Sequence, residues 1–285
     1  SYFFDGSSIS KYLCQEAEIQ RVNEANIQAY SDQVLFGDAI IEVPEDIVLT
    51  ENYSSEEAFQ QAERIRKADK IIVLFLFLLV WAMLIPSLQR IRCLSFSYLF
   101  IGLYLIALSA FSGFNGGAIF AELSVPAHAT RWLPCIALWY WLFYKQKNEK
   151  SILGVVKWML LIATSLTFAT HGYEAFNVHP KFKDLLYGAF EVISIPLSES
   201  VSIILLKLIG VMDMFLAIAV IFYHCRWKWL LIWMTIWGGV TAISRPISFG
   251  DVGLDDAVLR IVNSAIPLIA CFLIAYIKRT QQKLL

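Results

Sequence analysis

The sequence predicts an all-α, polytopic integral membrane protein, a bundle of about seven transmembrane helices that follows a small polar N-terminal region. Of its 285 residues, 58% are hydrophobic and only 16% are charged, and the mean hydropathy is +0.60. A bilayer core requires about 20 consecutive apolar residues per helix, because every backbone polar group in lipid must be paired within the segment. Apolar runs of this kind recur along the chain, so we expect the protein to be embedded in the lipid bilayer, which is its first predicted partner.

The charge balance and the cysteines exclude other classes of protein. Lysine and arginine number 23 against 24 aspartate and glutamate, so a net charge of -1 leaves no basic excess for nucleic acid. The cysteines show no Cys-x-x-Cys pair and no metal-like spacing, which predicts neither a disulfide framework nor a zinc site. They are Cys14, Cys93, Cys135, Cys225 and Cys271.

The N-terminal region, residues 1–70, is polar and is expected to form one or two helices in water. Ser54-Ser55-Glu56-Glu57 has the pattern of a capping box and predicts a helix that runs towards Lys70. The chain begins with Ser1 and shows no signal peptide, so an external N-terminus would require an upstream signal or a further helix.

Seven apolar segments follow, three in residues 71–144 and four in residues 150–283. The third is short and the sixth is rich in tryptophan. The predicted spans are 71–88, 94–111, 130–144, 152–170, 201–223, 227–244 and 257–277.

The loops predict an orientation, because cationic loops are retained in the cytoplasm. One side collects lysine and arginine in tight loops near residues 90, 147 and 226 and at the C-terminus, which is therefore predicted to be cytoplasmic. The opposite loops, 112–129, 171–200 and 245–256, are longer and hold most of the Gly, Pro, His and acidic residues. We therefore expect residues 1–70 and any functional site on the outer face.

Ionisable residues recur on single faces of the last four spans. Such a group costs about 2.5 to 3.5 kcal/mol at the centre of a bilayer, so it normally faces protein or water and finds a partner. Steps of three and four residues place each of them on a stripe that reaches the outer half of its helix. The predicted polar pocket consists of His171, Glu174, Asp213, Arg245, Arg260 and Asn263.

Two interpretations of this pocket remain open from the sequence. In the structural one, Asp213 and one arginine form a buried charge-assisted pair and His171 is satisfied by a hydroxyl group. In the functional one, the groups line a cavity for an apolar ligand with a polar head, such as a quinone. His171 and Asp213 would then exchange protons with the ring oxygens.

Neither a metal site nor a haem site is predicted. His171, Glu174 and His179 could be drawn as metal ligands, but His179 precedes Pro180 in a loop and the pair His171 and Glu174 has no matching second pair. A b-type haem needs two facing histidines, and His128 is also predicted to lie in a loop.

Residues 150–283 resemble the DoxX-like family of four-helix membrane proteins. The resemblance rests on His171-Gly172-Tyr173-Glu174-Ala175-Phe176 at the end of one helix, Gly210-Val211-Met212-Asp213 inside the next, and Arg245. A Phe-containing loop, here Phe182 with Leu185 and Leu186, lies between them, and Asp213 stands where glutamate is commoner in the family.

The resemblance implies a compact bundle associated with membrane redox chemistry, as in proteins similar to the small subunit of thiosulfate:quinone oxidoreductase. It carries over His171, Asp213 and Arg245 as a polar site. Without a redox cysteine pair or a haem pair, an electron carrier would have to come from a partner.

Three functions are compared on this basis. The first is a quinone-interacting subunit of a membrane redox complex, with a membrane or extracytoplasmic protein partner. The second is a non-catalytic structural or docking subunit, in which residues 1–70 bind an external partner. A small-molecule transporter ranks last, because the chain shows no repeated halves. Whether the chain is an enzyme stays open.

Overall fold

The computed structural model describes residues 55–82, 85, 92–115, 119–144, 149–224 and 226–282. Every regular element in these ranges is helical, which confirms the all-α prediction for this part of the chain. The predicted N-terminal region lies outside the described residues except for its last 16 positions, 55–70.

The described helices are numbered in chain order. They are α1 (Ser55–Ala82), α2 (Arg92–Asn115), α3 (Ser124–Ala127), α4 (Ala129–Tyr144), α5 (Glu149–Phe176), α6 (Pro180–Val192), α7 (Glu199–Tyr223), α8 (Lys228–Phe249), α9 (Val252–Arg260) and α10 (Val262–Gln282). A 3₁₀ turn, Ala121–Leu123, precedes α3.

The chain divides into two compact units, Ser1–Leu78 and Leu79–Leu285. The boundary falls within α1. In the second unit the apolar core extends from α4 to α10, since Ala129 and Ala137 of α4 belong to the same buried cluster as Leu161 of α5 and Ala270 of α10. The packing is therefore continuous across the boundary, near residue 147, that the sequence suggests between two groups of helices.

Five stretches within the described residues are long and apolar enough to cross a membrane, which fits a multi-pass integral membrane protein. They are Leu94–Phe114, Ser151–Phe176, Glu199–Tyr223, Lys228–Phe249 and Asp256–Gln282. The other two predicted spans are not among them. The first overlaps α1, whose leading half is charged, and the third corresponds to α4, which has only 16 residues.

Helix α5 occupies the centre of the second unit. It packs against α4, α7 and α10, and Leu161 and Ala163 of α5 are fully buried. Its closest neighbour is α7, because two glycines face each other where the helices cross. A Cβ on Gly172 would lie 2.8 Å from the carbonyl oxygen of Gly210, and a Cβ on Gly210 would lie 2.5 Å from the nitrogen of Phe176.

Short helices cover one end of this bundle, and we call α3, α6 and α9 together the cap. Phe120, before α3, makes ring contacts with Tyr173 at the end of α5 and with His179 before α6. The segments predicted as outer loops are thus largely helical. Helix α8 also continues through Pro246 to Phe249, and Gly250, with φ of 59°, follows its last residue.

Candidate functional site

A cavity of about 250 Å³ lies beneath the cap, within the part of the bundle formed by α5 to α10. Its wall is mostly apolar, with a few polar side chains on different helices. The lining residues are Thr167, Phe168, His171, Ala175, Phe182, Leu185, Leu186, Ala189, Leu206, Ile209, Asp213, Trp237, Gly238, Val240, Thr241, Ser244, Arg245, Arg260 and Asn263.

Helical periodicity explains why these residues meet. On α5, Thr167, His171 and Ala175 are spaced by four, and on α7 Leu206, Ile209 and Asp213 are spaced by three and four. Each set forms one face, and the face points into the cavity. Five of the six predicted pocket residues line it, namely His171, Asp213, Arg245, Arg260 and Asn263.

Glu174, the sixth, does not line the cavity but contacts a residue that does. Its Oε2 lies 3.1 Å from Nδ1 of His171, and both side chains are largely buried. This contact orients the imidazole, because a hydrogen bond at one ring nitrogen determines which tautomer the ring adopts. The hydroxyl partner that the structural interpretation assigned to His171 is therefore replaced by a carboxylate.

Asp213 is 6% exposed and its Oδ1 has no hydrogen-bond partner. The indole Nε1 of Trp237, on the facing helix α8, is also buried, and it lies close enough to the Asp213 carboxyl group to interact with it without forming a hydrogen bond of normal geometry. The Asp213–arginine pair of the structural interpretation is not formed, because the buried arginine of α8 pairs elsewhere. A buried carboxyl oxygen that lacks a partner costs free energy, and such groups in a cavity point to a bound molecule or to water.

Two arginines approach the cavity from α8 and α9. Nη1 of Arg245 lies 3.4 Å from Oδ2 of Asp256, and the side chains are 5% and 58% exposed, respectively. The Nε of Arg245 remains buried without a partner. Arg260 makes no hydrogen bond or close ion pair with any side chain that the structure describes, and Asp256 and Glu174 act on it only at longer range.

A hydroxyl and amide network, which the sequence did not reveal, joins α4, α5 and α10 beside the cavity. Thr130 of α4 donates its hydroxyl to Oδ1 of Asn263 at 2.6 Å, and its backbone nitrogen donates to Oγ1 of Thr167 at 3.2 Å. Thr167 in turn donates to the Thr130 hydroxyl at 3.4 Å. Asn263 was already predicted to face the pocket, whereas nothing in the sequence indicated that Thr130 would contact it.

His128 and His179 lie at the cap rather than inside the spans. Burial, with some repulsion from Arg131, lowers the pKa of His128 to about 3, although its Nδ1 donates to the carbonyl of Ser124 at 2.7 Å. Burial also lowers the pKa of His179, whose Nδ1 accepts from the backbone nitrogen of Lys181. Both rings are therefore neutral at pH 7.

No group of three or more His, Cys, Asp or Glu side chains with the geometry of a metal site occurs among the residues placed by the structure. His128 and His171 approach closely enough to interact electrostatically. Each already uses Nδ1 in a hydrogen bond, the former to Ser124 and the latter to Glu174. The cavity itself presents donors and acceptors suited to a small organic head group.

No protein-family model, curated protein or solved structure shows a significant match to this chain. The resemblance to the DoxX-like family therefore stays a prediction, and the case for a function rests on the geometry of the cavity.

Proposed function

We propose that this chain is an integral membrane subunit that binds an apolar ligand with a polar head, such as a quinone, in the cavity beneath the cap. The supporting observation is the cavity of about 250 Å³, which combines apolar walls with inward polar groups from five helices. Ligand pockets typically have this composition, a mostly apolar lining with a few convergent polar groups.

The buried polar atoms favour a cavity that binds a ligand over a cavity that is only an empty packing defect. Oδ1 of Asp213, Nε1 of Trp237 and Nε of Arg245 are all inaccessible and unpaired. Each would regain a hydrogen bond if a ligand carried an acceptor and a donor at complementary positions. A purely structural cavity gains nothing from three such atoms, because each unmade hydrogen bond costs about 1 to 3 kcal/mol.

In this proposal the site binds the ring of the ligand and moves protons, while a partner supplies the electrons. Asp213 and His171 line the same cavity, and Glu174 holds the imidazole at Nδ1. With a quinone bound, these two side chains would deliver or accept the protons that accompany its reduction or oxidation. The electrons would come from a protein partner in a membrane redox complex, as the DoxX-like resemblance implies.

The cap is placed on the extracytoplasmic side in this proposal, and the C-terminus in the cytoplasm. The charge of the connections supports this orientation, because Arg226 and Lys228 flank the tight connection between α7 and α8 at the opposite end. A partner that docks from outside would then meet the cap directly.

A non-catalytic structural subunit is the second candidate, and the Thr130–Asn263–Thr167 network favours it. These hydrogen bonds join α4, α5 and α10 and hold the bundle together whether or not a ligand is bound. In that case the cavity would remain empty and the partner protein would carry the chemistry.

Replacement of Asp213 by Asn discriminates the two candidates. The experiment is native mass spectrometry of the protein extracted from its own membranes in mild detergent, with binding of a decyl-substituted benzoquinone measured in nanodiscs. We expect a retained quinone-sized mass in the wild-type protein and at least a tenfold weaker affinity in Asp213→Asn, with assembly unchanged.

The matched control is Asp184→Asn, an exposed aspartate on α6 that does not line the cavity. It should bind as the wild type does. A defined protein complex without any small-molecule mass, together with no measurable quinone binding, would contradict the ligand-binding proposal and favour the structural subunit.

A further inference from the structure

We infer that the ligand enters the cavity sideways from the bilayer, between α7 and α8, and that Arg260 holds an oxygen acceptor on its head group. This inference rests on the proposed binding function and adds to it a route and a head-group chemistry. It depends on three features of the cavity: its roof, its side opening and its charge balance.

Helix α6 covers the cavity and forms its roof, and hydrogen bonds join it to α7 on one side and to α8 on the other. The hydroxyl of Ser202 on α7 lies 3.3 Å from that of Tyr187, and the hydroxyl of Ser248 on α8 donates to the carbonyl of Leu185 at 2.8 Å. A Cβ on Gly188 would lie 2.7 Å from Cβ of Ser248, so α6 sits tightly on α8. The underside is apolar and faces the cavity with Phe182, Leu185, Leu186 and Ala189.

The side opening follows from how the helices pair. Helix α7 is held against α5 by Gly172 and Gly210, and α8 is held against α10, where a Cβ on Gly238 would lie 2.6 Å from the carbonyl oxygen of Asn263. Helices α7 and α8 thus belong to different close-packed pairs. Val240 of α8 lines the cavity and is also 48% exposed on the outer surface. The cavity therefore reaches the lipid-facing surface at Val240.

The residues near this opening suit a hydrocarbon tail. Leu206 and Ile209 of α7 line the cavity opposite α8 and offer no polar atom in their side chains. On the outer surface, Leu208 of α7 and Ile236 of α8 are exposed and apolar. A tail can thus lie between the two helices with its head inside and its end in lipid.

Among the side chains that the structure describes, Arg260 is the cavity cation without a close ion pair, so it can meet the head group. Arg245 is neutralised by Asp256, and His171 is hydrogen-bonded to Glu174. Arg260 lines the cavity without a hydrogen bond to any residue that the structure describes. A guanidinium offers five donors and no acceptor, so it binds carbonyl or carboxylate oxygens and repels an ammonium group. A quinone carbonyl and a fatty carboxylate share this acceptor chemistry.

The test compares three probes, each with a saturated chain of nine or ten carbons, in nanodiscs that contain the full chain: a decyl benzoquinone, decanoate and decylamine. We expect the quinone or decanoate to bind at least tenfold more tightly than decylamine to the wild-type protein. The Arg260→Gln variant should lose at least tenfold in affinity for the preferred probe. Arg279→Gln, an exposed arginine in the last turn of α10, should lose none.

Further measurements distinguish a carboxylate ligand from a quinone and provide a second variant in case the first does not fold. A larger loss for decanoate than for the quinone in Arg260→Gln would identify a carboxylate ligand, and the reverse would identify a quinone. Should Arg260→Gln fail to fold, Arg260→Lys keeps a charge and a donor, and it should still prefer decanoate to decylamine. Equal binding of decylamine and the acceptor probes, or full affinity in Arg260→Gln, would overturn the role of Arg260.

The route is tested by the association rate of the preferred probe. Val240→Trp should slow association at least tenfold, because an indole at the opening would block it. Val211→Trp, on an exposed position of α7 that does not line the cavity, should leave the rate unchanged. An unchanged rate in Val240→Trp would overturn the sideways route alone. Failure of every probe to bind the wild-type protein would overturn the proposed function itself.

Discussion

The buried ionisable side chains of this bundle differ in whether they have a partner of opposite charge. Glu174 and His171 are three residues apart on one helix and interact locally. Arg245 reaches across the α8–α9 turn to Asp256. Asp213 and Arg260 form no close ion pair with any side chain that the structure describes, and both line the cavity. The residues without an internal partner are therefore those we assign to the ligand.

His128 should make the stability of the protein depend on pH. Its pKa falls to about 3 in the folded protein through burial, with Arg131, His171 and Arg260 as repelling neighbours, against about 6.5 when unfolded. The lowered value means that this stabilisation is complete above pH 6.5 and is lost as the pH falls towards 3. At pH 5 the loss is about 2 kcal/mol, since one pKa unit corresponds to roughly 1.4 kcal/mol.

The measurement is thermal unfolding in detergent between pH 5 and pH 7.5 for the wild type and for His128→Gln. Gln can still donate to the carbonyl of Ser124 but does not titrate. We expect the variant to lose less stability at pH 5 than the wild type. Identical pH profiles for the two proteins would contradict this prediction, because they would show that folding does not change the pKa of His128.

Val178 has an unfavourable backbone conformation, and replacing it with Gly should stabilise the protein. Its φ is 54°, in the left-handed region, where a β-branched residue is strained. It follows α5, and the nitrogen of His179 bonds back to the carbonyl of Glu174, a closure that normally uses Gly. We expect Val178→Gly to raise the unfolding free energy by about 1 kcal/mol.

Val192→Gly is the matched control for this measurement. Val192 is the last residue of α6 and has no positive φ, so Gly there should lower stability by up to about 1 kcal/mol. Both changes can be followed by the midpoint of thermal unfolding. Equal destabilisation by the two substitutions would mean that the conformation of Val178 carries no strain.

At the scale of elements, glycine contacts determine how the helix pairs pack. Replacing Gly210 with Leu should force α5 and α7 apart, because even a Cβ at this position would lie 2.5 Å from the backbone nitrogen of Phe176. Overpacking of this kind costs about 1 to 3 kcal/mol. We expect Gly210→Leu to lower the thermal midpoint and to weaken ligand binding, since Asp213 lies one turn away.

Gly154→Leu is the control on α5 itself. A Cβ on Gly154 has no neighbour within 4 Å, and Leu is a better helix former than Gly, so stability should be kept or slightly increased. Comparable losses in both variants would show that the side-chain bulk of Leu, rather than the helix crossing, is responsible.

At the scale of the whole molecule, the cap and the α7–α8 connection should face opposite sides of the membrane. We expect Asp184→Cys on α6 and Arg226→Cys to react with an impermeant thiol reagent from opposite sides, in a background where the five native cysteines are replaced. Both positions are exposed. Labelling of both from the same side would contradict the topology, and the unsubstituted background serves as the control.

The helical membrane character and the polar stripes were predictable from the sequence, because both follow from local composition and from a period of 3.6 residues. His171, Asp213 and Arg245 could be placed on their faces in this way. The number of spans was less predictable. A span must be both apolar and long enough to cross the membrane. The first half of α1 is charged and α4 is short, so five stretches rather than seven meet both conditions in the described chain.

Contacts between distant segments were decided only by the tertiary structure. The sequence could not show that Thr130 reaches Asn263, that Asp256 rather than Asp213 neutralises Arg245, or that α6 covers the cavity. Each depends on where helices cross, and crossings are determined by the close approach of small residues such as Gly172 and Gly210. Local sequence determined which face of each helix is polar. Packing determined which of those polar groups found partners and which were left for a ligand.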